Sequence, residues 1–349
     1  MPAPSAYRPP RWLPEGHSQT IWPALLFRRT PPAYRRECWP TPDGGIIALD
    51  FIDAPQPDAP LVVLFHGLEG SSHSHYAIAL MQALRQCGWH GVVPHFRGCG
   101  GMNNPLPRAY HAGDSAEVAW ILETLAGRYR TLYAAGVSLG GNMLLKHLGE
   151  AGDRAVVKAA AGISVPVDMV AASENLDRGL SRLIYTGMFL KTLKAASRAT
   201  LARHPGLFDR DRMEASRTFS EFDDTVTAPL HGFAHALDAC RKSVDTVANG
   251  GVGRKIGGHV GAAHPTFLTQ HLKAVHHALR RVARSHKVLQ ANLVCLGFIN
   301  AAVVEHGRLS GSQSAHGQSP AACAARRALP TCRLVGAARL ARRRSGGQL

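Results

Sequence analysis

The pentapeptide Gly136-Val-Ser-Leu-Gly140 constrains the fold of this chain more than any other feature. It ends an apolar segment, residues 131–137, that is predicted to be a strand, and it opens a segment, residues 138–148, with helical spacing of apolar residues. A serine on such a turn needs glycine two residues before and after it, because a larger side chain would collide with the neighbouring backbone. The pattern predicts that Ser138 is a nucleophile and that the Leu139 N–H, at a helix N-terminus, binds an oxyanion.

Predicted strands and helices alternate along the first half of the chain. The strands are short apolar runs, and the helices carry apolar residues on one face. The predicted strands are Leu61–Phe65, Val92–Val93, Thr131–Val137 and Val156–Val165, and the predicted helices are Ser74–Cys87, Asp114–Leu125 and Ser138–Leu148. This alternation indicates an α/β fold with a mostly parallel sheet and helices on both faces.

Two further patterns concern the helices. Asp114 and Glu117 have the spacing of a capping box at the start of the predicted helix over 114–125. From Asp168 to Asp238 the pattern becomes mainly helical, with apolar residues recurring at roughly helical intervals. The second pattern predicts a helical lid inserted after a central strand.

A second loop, His66-Gly67-Leu68, follows the predicted strand over 61–65. In folds that place a nucleophilic serine on a strand-to-helix turn, a loop after an earlier strand supplies the second N–H of the oxyanion hole. Here that N–H is predicted to come from Leu68. His66 precedes the nucleophile on an early strand, whereas such a fold supplies its catalytic base after the nucleophile. We therefore predict that His66 is structural.

Several segments together resemble the YheT-type branch of the AB hydrolase superfamily, over about residues 15–240. They are Gly16–Thr20 with Leu26–Arg29, Phe65–Gly70, His95–Cys99, Tyr110–Gly113, Gly136–Asn142, and Glu221–Asp224 with His231-Gly232. The resemblance implies an α/β-hydrolase fold with Ser138 as nucleophile and Leu68 and Leu139 as oxyanion donors. It also implies a carboxylesterase that needs no metal or organic cofactor.

The family pattern fails where the acid and the histidine of the triad are expected. The family carries an acid after a late strand in an Asn-x-x-Asp-Pro-like stretch, which is not recognisable here. It then carries a Gly-Gly-His-Val-Gly-Phe motif, and Gly257–Gly261 matches its first five residues, which makes His259 the candidate base. The acid stays unassigned: Asp245 is a weak candidate, and Asp223 and Asp224 belong to the lid motif, where a structural or gating role is favoured.

The basic charge of the chain lies almost entirely in its last part. The net charge is +16, and residues 241–349 hold 17 Lys and Arg against Asp245 and Glu305. We therefore divide the chain into a hydrolase core with its lid, residues 1–240, and an atypical basic tail, residues 241–349. One explanation is a translated frameshift in GC-rich DNA, and another is a genuine, disordered basic extension that binds nucleic acid or anionic lipid. The first is favoured, and no nucleic-acid partner is expected, because aromatic interleaving and a recognisable nucleic-acid motif are both absent.

Other features bear on the compartment. The seven cysteines are scattered, so neither a disulfide framework nor a zinc site is predicted. Residues 1–29 lack the apolar run of a signal peptide, and no apolar run is long enough to cross a bilayer. We expect a cytoplasmic protein, and the sequence leaves its oligomeric state open.

The leading hypothesis is hydrolysis of a small-molecule ester with a short or medium acyl chain, through an acyl-enzyme on Ser138. Acyl transfer to an alcohol is an alternative within the same chemistry. A catalytically impaired hydrolase fold that binds a ligand or partner is an alternative of a different class, because the acid and histidine segment is not recognisable.

Overall fold

One mixed β-sheet organises the described part of the chain. The computed structural model describes residues 12, 17–18, 20–22, 29–248 and 302–305, so His259 lies outside the described residues. The strands run in the order β1-β2-β4-β3-β5-β6-β7. Their bounds are β1 (Arg35–Pro40), β2 (Ile46–Ile52), β3 (Leu61–Phe65), β4 (His90–Pro94), β5 (Leu132–Val137), β6 (Ala159–Ile163) and β7 (Ala302–Glu305).

The four central strands, β4, β3, β5 and β6, are parallel, whereas β1, β2 and β7 pair antiparallel at the two sides. In the centre, β3 and β5 are neighbours, and Phe65 lies opposite Gly136. Because parallel strands end at the same edge of a sheet, the loop over residues 66–70 lies beside the turn at Ser138. This register brings the two predicted halves of the oxyanion site together.

Helices cover both faces of the sheet, as predicted. They are α1 (His75–Gln86), α2 (Ser115–Ala126) and α3 (Leu139–Ala151). Along β3, Val62 and Leu64 are buried against α1, and the alternate residues, among them Val63, are buried on the opposite face with α2 and α3. A central strand with both faces covered must be apolar throughout, which explains the continuous run at 61–65.

The predicted helical lid is confirmed. Its helices are α4 (Met169–Leu176), α5 (Gly179–Ser181), α6 (Gly187–Arg203), α7 (Arg210–Ala215), α8 (Phe219–Phe222), α9 (Ala228–His231) and α10 (Ala236–Ala248), with π turns at Arg182–Thr186 and Asp223–Thr227. Leu190, Met213, Phe222 and Val226 form a small core within the lid. The predicted division between core and tail at residue 240 falls within α10; the division itself stays a prediction.

The predicted capping box at the start of α2 is wrong. Asp114 is the N-cap residue, but its side chain makes no capping hydrogen bond. Instead, Asp114 accepts a hydrogen bond from Arg108, and Glu117 accepts one from the buried Arg97. An arginine side chain offers a charged, directional donor. Arg108 and Arg97 therefore bind these two carboxylates, which leaves neither of them to cap the unpaired N–H groups at the start of α2.

Candidate active site

Ser138 lies on a strained turn between β5 and α3, with φ 51° and ψ −119°. Non-glycine residues rarely adopt a positive φ, so the surrounding contacts must hold this backbone in place. A Cβ atom added at Gly136 would come within 2.6 Å of the Gly140 carbonyl oxygen, and one at Gly140 would come within 2.6 Å of the Phe65 carbonyl oxygen. The close packing of backbone on backbone therefore requires both glycines of the pentapeptide.

Hydrogen bonds to neighbouring elements hold the turn. The Ser138 N–H donates to the Ile163 carbonyl on β6 at 2.8 Å, and the Ser138 carbonyl accepts from the Asn142 N–H at 3.0 Å. The buried Asn142 side chain donates to the Ala112 carbonyl at 2.8 Å and to the Ser243 carbonyl at 2.9 Å. Asn142 thus ties α3, the helix that follows Ser138, to the loop before α2 and to α10.

Two tyrosine hydroxyls hold the loop that contains Leu68. The Tyr76 hydroxyl accepts from the Gly67 N–H at 2.9 Å. The Tyr110 hydroxyl accepts from the Glu69 N–H at 2.9 Å and donates to the Glu69 carboxylate at 2.8 Å. Glu69 needs this support because its φ is 55°. The N–H groups on both sides of Leu68 are therefore occupied, and the loop is fixed at Gly67 and at Glu69.

The N–H groups of Leu68 and Leu139 remain available to a ligand. Among the described residues, neither of them donates to a backbone acceptor. Both residues line the same cavity as Ser138. Two unpaired N–H groups beside a serine hydroxyl are the arrangement that stabilises the oxyanion of a tetrahedral intermediate.

The prediction that His66 is structural is confirmed. Its Nδ1 donates to the Gly67 carbonyl at 2.7 Å, and its Nε2 accepts from the Phe96 N–H at 3.2 Å. Complete burial lowers the pKa of His66 to about 3. Since both ring nitrogens are occupied and the ring stays neutral, His66 braces the loop and does not transfer protons.

A cavity of about 530 Å³ lies between Ser138 and the lid. Its floor comes from the loops at the ends of β3, β5 and β6, and its walls come largely from apolar lid side chains. The apolar lid residues that line it are Met169, Ala172, Leu176, Phe189, Leu193, Phe219, Phe222 and Ala239. A cavity with a largely apolar wall and the Ser138 hydroxyl at its floor fits a ligand with an apolar chain and a polar reacting group.

Comparison with known proteins decides the family. The family model for the alpha/beta hydrolase fold matches residues 60–210, which include Ser138 and the loop at 66–70. The chain is 38% identical over 243 residues to the "Putative esterase YheT" of Escherichia coli (strain K12), and this match covers 67% of the chain and 70% of YheT. The chain belongs to the YheT-type branch of the α/β-hydrolase family.

Eukaryotic relatives extend the comparison. This α/β-hydrolase is 32% identical over 244 residues to "Phospholipase ABHD3" of Homo sapiens, covering 65% of the chain and 58% of that protein. It is 29% identical over 209 residues to "Medium-chain fatty acid ethyl ester synthase/esterase 2" of Saccharomyces cerevisiae, covering 52% of the chain and 46% of that protein. The match therefore spans about half of the length of these two relatives.

An α/β-hydrolase needs a histidine and an acid in addition to its serine. Within the described residues, the histidines that line the cavity are His75 and His111, and burial lowers the pKa of both. The Nδ1 atom of His111 accepts from the Gly113 N–H at 3.1 Å, so its Nε2 holds the proton and cannot accept another. No carboxylate of the described part of the chain pairs with His75, and burial alone accounts for its lowered pKa. A complete triad is thus not assembled from the described residues, and the candidate base His259 lies outside them.

The structure also shows which groups surround the three candidate acids of the triad. Asp245 pairs with Lys146 of α3 at 2.7 Å, which is a helix-to-helix ion pair. Asp224 accepts from the Ala236 N–H at 2.5 Å and so holds the start of α10. Asp223 lines the cavity and accepts from the Thr227 hydroxyl at 2.5 Å. These contacts give each of the three carboxylates a structural partner.

Asp223 also introduces a titratable group into the cavity wall. Burial raises the pKa of Asp223 to about 6, and the nearby Asp177 and Asp224 carboxylates act in the same direction. Asp223 therefore keeps its proton to a higher pH than an exposed aspartate does. The sequence around Asp223 indicates only a lid motif. The residues next to Asp223 in sequence give no sign that its side chain faces a cavity.

None of the described helices is long and apolar enough to cross a membrane. In the same part of the chain, no three His, Cys, Asp or Glu side chains converge in a way that could hold a metal ion.

Proposed function

We propose that this hydrolase is a carboxylesterase that works through an acyl-enzyme on Ser138. The Ser138 Oγ attacks the ester carbonyl, and the Leu68 and Leu139 N–H groups bind the oxyanion that forms. A base takes the Ser138 proton and returns it to the leaving alcohol as the C–O bond breaks. Water then attacks the acyl-enzyme by the same route and releases the carboxylic acid.

One observation carries this proposal. Ser138 has a positive φ at the end of a central parallel strand, and two backbone N–H groups without backbone acceptors line the same cavity. Strain of this kind persists where the surroundings over-determine the backbone, and it clusters at active sites. A serine with a purely structural role would need neither the strained backbone nor the vacant donors.

The apolar wall supports an acyl chain of short or medium length as the substrate class. A cavity of about 530 Å³ falls within the range of pockets that bury small molecules. The names of the relatives agree with this class, since one is a phospholipase and another handles medium-chain fatty acid ethyl esters.

Covalent labelling tests the nucleophile. The purified full-length chain is treated with a fluorophosphonate, and the adduct is read by intact mass with Ser138→Ala as control. One adduct that disappears in Ser138→Ala supports an activated serine. A folded wild type that takes no label would contradict the proposal and favour a hydrolase fold that binds ligands without turning them over.

A second experiment addresses the base. We propose that His259 takes the proton from Ser138, with the acid unassigned. His259→Gln should lower the labelling rate by a factor of a thousand or more, on the order of the loss when a triad histidine is removed. His264→Gln, five residues further along, is the matched control. Equal rates in the two variants would remove His259 from the mechanism.

Acyl transfer to an alcohol is a second candidate, favoured by the name of the yeast relative, an ester synthase as well as an esterase. It differs from hydrolysis only in the nucleophile that attacks the acyl-enzyme. Turnover of an ester in the presence of ethanol separates the two: a new ethyl ester indicates transfer, and free acid alone indicates hydrolysis.

A further inference from the structure

The lid exposes large apolar side chains on its outer surface. Leu183 is 77% exposed, Leu180 is 57% exposed and Met188 is 55% exposed. All three lie on one nearly continuous helical stretch, which consists of α5, a π turn and α6. Single exposed apolar residues are common, but a group of three on one helical segment marks an interaction surface.

The π turn brings two of these side chains, Leu183 and Met188, to one side of the helix. The Gly187 N–H donates to the Arg182 carbonyl, which is an i→i+5 hydrogen bond. In such a turn, residues five apart along the sequence come close to the same face, whereas in a regular α-helix they would diverge. Leu183 and Met188 are five residues apart, so the π turn aligns them.

The charge of the same segment is uniform. From Arg178 to Phe208 the chain has six Lys and Arg and no Asp or Glu. Two of these cations form ion pairs with neighbouring carboxylates: Arg178 pairs with Glu174, and Arg198 pairs with Glu214. Arg182 and Lys191 are exposed and form no ion pair with the described acidic residues. They flank the exposed apolar side chains with unneutralised positive charge.

The opposite side of this helical stretch faces the substrate cavity. Phe189 and Leu193 line the cavity, and Leu190 is buried in the lid core. The exposed side chains are therefore the outer surface of the wall that covers Ser138. A surface that binds this helix from outside would meet the protein at its substrate cavity.

The N-terminal segment contacts the same turn through His17 and carries two exposed tryptophans on either side of this residue in sequence. His17 Nδ1 lies 3.0 Å from the Tyr185 hydroxyl, and Tyr185 is part of the π turn. Trp12 and Trp22, on either side of His17 in sequence, are 59% and 46% exposed, and their rings pack edge to face at 6.4 Å. Tryptophan rings are characteristic of protein surfaces that sit at the interface of a lipid layer.

We propose that the outer lid surface, defined by Leu180, Leu183 and Met188 with Arg182 and Lys191, docks on an anionic lipid surface. Apolar side chains enter the boundary between head groups and acyl chains, and flanking Lys and Arg side chains bind the anionic head groups. A second copy of the chain is disfavoured as the partner of this surface. Two such surfaces in contact would bring their uncompensated cations close together, and these would repel each other. Docking would present the cavity to substrates held in the lipid layer.

Vesicle binding with a local readout tests this proposal independently of catalysis. The full-length chain is mixed with vesicles of phosphatidylcholine, with or without phosphatidylglycerol, and hydrogen–deuterium exchange is followed over residues 178–194. The local readout is needed because the basic segment after residue 240 can by itself hold the chain on anionic vesicles. We expect slower exchange over 178–194 with the anionic vesicles and little change with phosphatidylcholine alone.

Matched variants sharpen the test. Leu183→Ser should weaken vesicle affinity about ten-fold through lost apolar burial. Lys191→Glu should weaken it roughly thirty-fold, since each charge near an anionic surface contributes about five-fold. Leu237→Ser and Lys158→Glu remove an exposed leucine and an exposed lysine elsewhere and should leave affinity unchanged.

Two results would overturn the proposal. Sedimentation with anionic vesicles while exchange over 178–194 stays unchanged would assign binding to the basic segment. Slower exchange that depends on protein concentration without vesicles would assign the surface to a second copy of the chain. Thermal unfolding of each variant, which should match wild type because the altered side chains are exposed, verifies that the fold is intact.

Discussion

The Tyr110 hydroxyl contacts Glu69 twice, as acceptor from its N–H and as donor to its carboxylate. Tyr110 belongs to the loop before α2, whereas Glu69 follows Leu68 in the loop after β3. This pair fixes the peptide on one side of Leu68, and Tyr76 fixes the other side through the Gly67 N–H. The orientation of the proposed oxyanion donor therefore depends on tyrosines from two other segments.

Tyr110→Phe removes both hydrogen bonds and keeps the ring. We expect the rate of fluorophosphonate labelling at Ser138 to fall at least about ten-fold, because a donor that is slightly misplaced loses much of its effect on the transition state. Reversible affinity for the reagent should change little. Glu69→Gln keeps a carbonyl acceptor for Tyr110 and should retain most of the rate, and Tyr133→Phe, outside the cavity lining, should equal wild type. Equal losses of rate and affinity in Tyr110→Phe would point to a general loss of structure instead.

Gly140→Ala tests the close approach of the turn to β3. The added methyl group would meet the carbonyl oxygens of Phe65 and His66. Because backbone atoms cannot move aside as a side chain can, we expect a loss of about 3 kcal/mol in the free energy of unfolding, at the upper end for overpacking. Gly127→Ala is the control, since its methyl group would lie 3.5 Å from its nearest neighbour and its φ is −70°. Urea unfolding of the two variants should differ clearly, and similar midpoints would contradict the packing argument.

Asp223 makes stability depend on pH in a defined direction. Its pKa is raised to about 6 from 3.8, so the folded chain binds this proton more tightly than the unfolded chain does. Its contribution to stability is therefore present at low pH and is lost as pH rises through about 4 to 6. Asp223→Asn should be more stable than wild type above about pH 6, and the difference should shrink toward pH 4. Urea unfolding across this pH range measures the difference in stability, with the exposed Asp211→Asn as control. A difference that grows as pH falls would contradict a raised pKa of Asp223.

The ion pair between Arg97 and Glu117 is buried, with both side chains at most 3% exposed. Glu117→Leu leaves the guanidinium in the interior with Asp43 as its remaining partner. We expect a loss of about 3–5 kcal/mol in unfolding free energy, the range for breaking one side of a buried pair. Glu214→Leu breaks the exposed pair with Arg198 and should leave the unfolding midpoint nearly unchanged. Comparable effects from the two variants would mean that Arg97 finds solvent or another acceptor.

Local patterns were sufficient to predict the strands β3 to β6, the helices between them and the turn at Ser138. Each of these rests on a short-range requirement, such as continuous apolar residues in a covered strand or glycine beside a strained serine. The hairpin of β1 and β2 was missed, because the residues of β1 are largely exposed and polar and do not alternate strongly. The turn at residues 41–44, which carries Pro-Asp-Gly directly before the apolar run Ile46–Ile52, is a signal that could have predicted this pairing.

The contacts that position the site were beyond sequence reasoning for a different reason. Tyr110 and Glu69 are 41 residues apart, and Asn142 and Ser243 are 101 apart. Periodicity identifies elements, but it does not show which side chains from distant elements meet. The same limit explains why the predicted capping box is wrong. Sequence spacing does not show that Arg108 binds the Asp114 carboxylate or that Arg97 binds the Glu117 carboxylate.

The pairing of Phe65 with Gly136 has a consequence for how such an enzyme can change over evolution. Adjacent parallel strands position the proposed nucleophile and both proposed oxyanion donors, so a single pairing of strands holds this anion-binding half of the site together. In the family pattern, the proton-transferring half comes from a later part of the chain. A lineage can therefore replace or abandon proton transfer while it keeps the ability to bind a tetrahedral anion, and inhibitors that mimic such anions would still recognise a descendant that no longer turns over substrate.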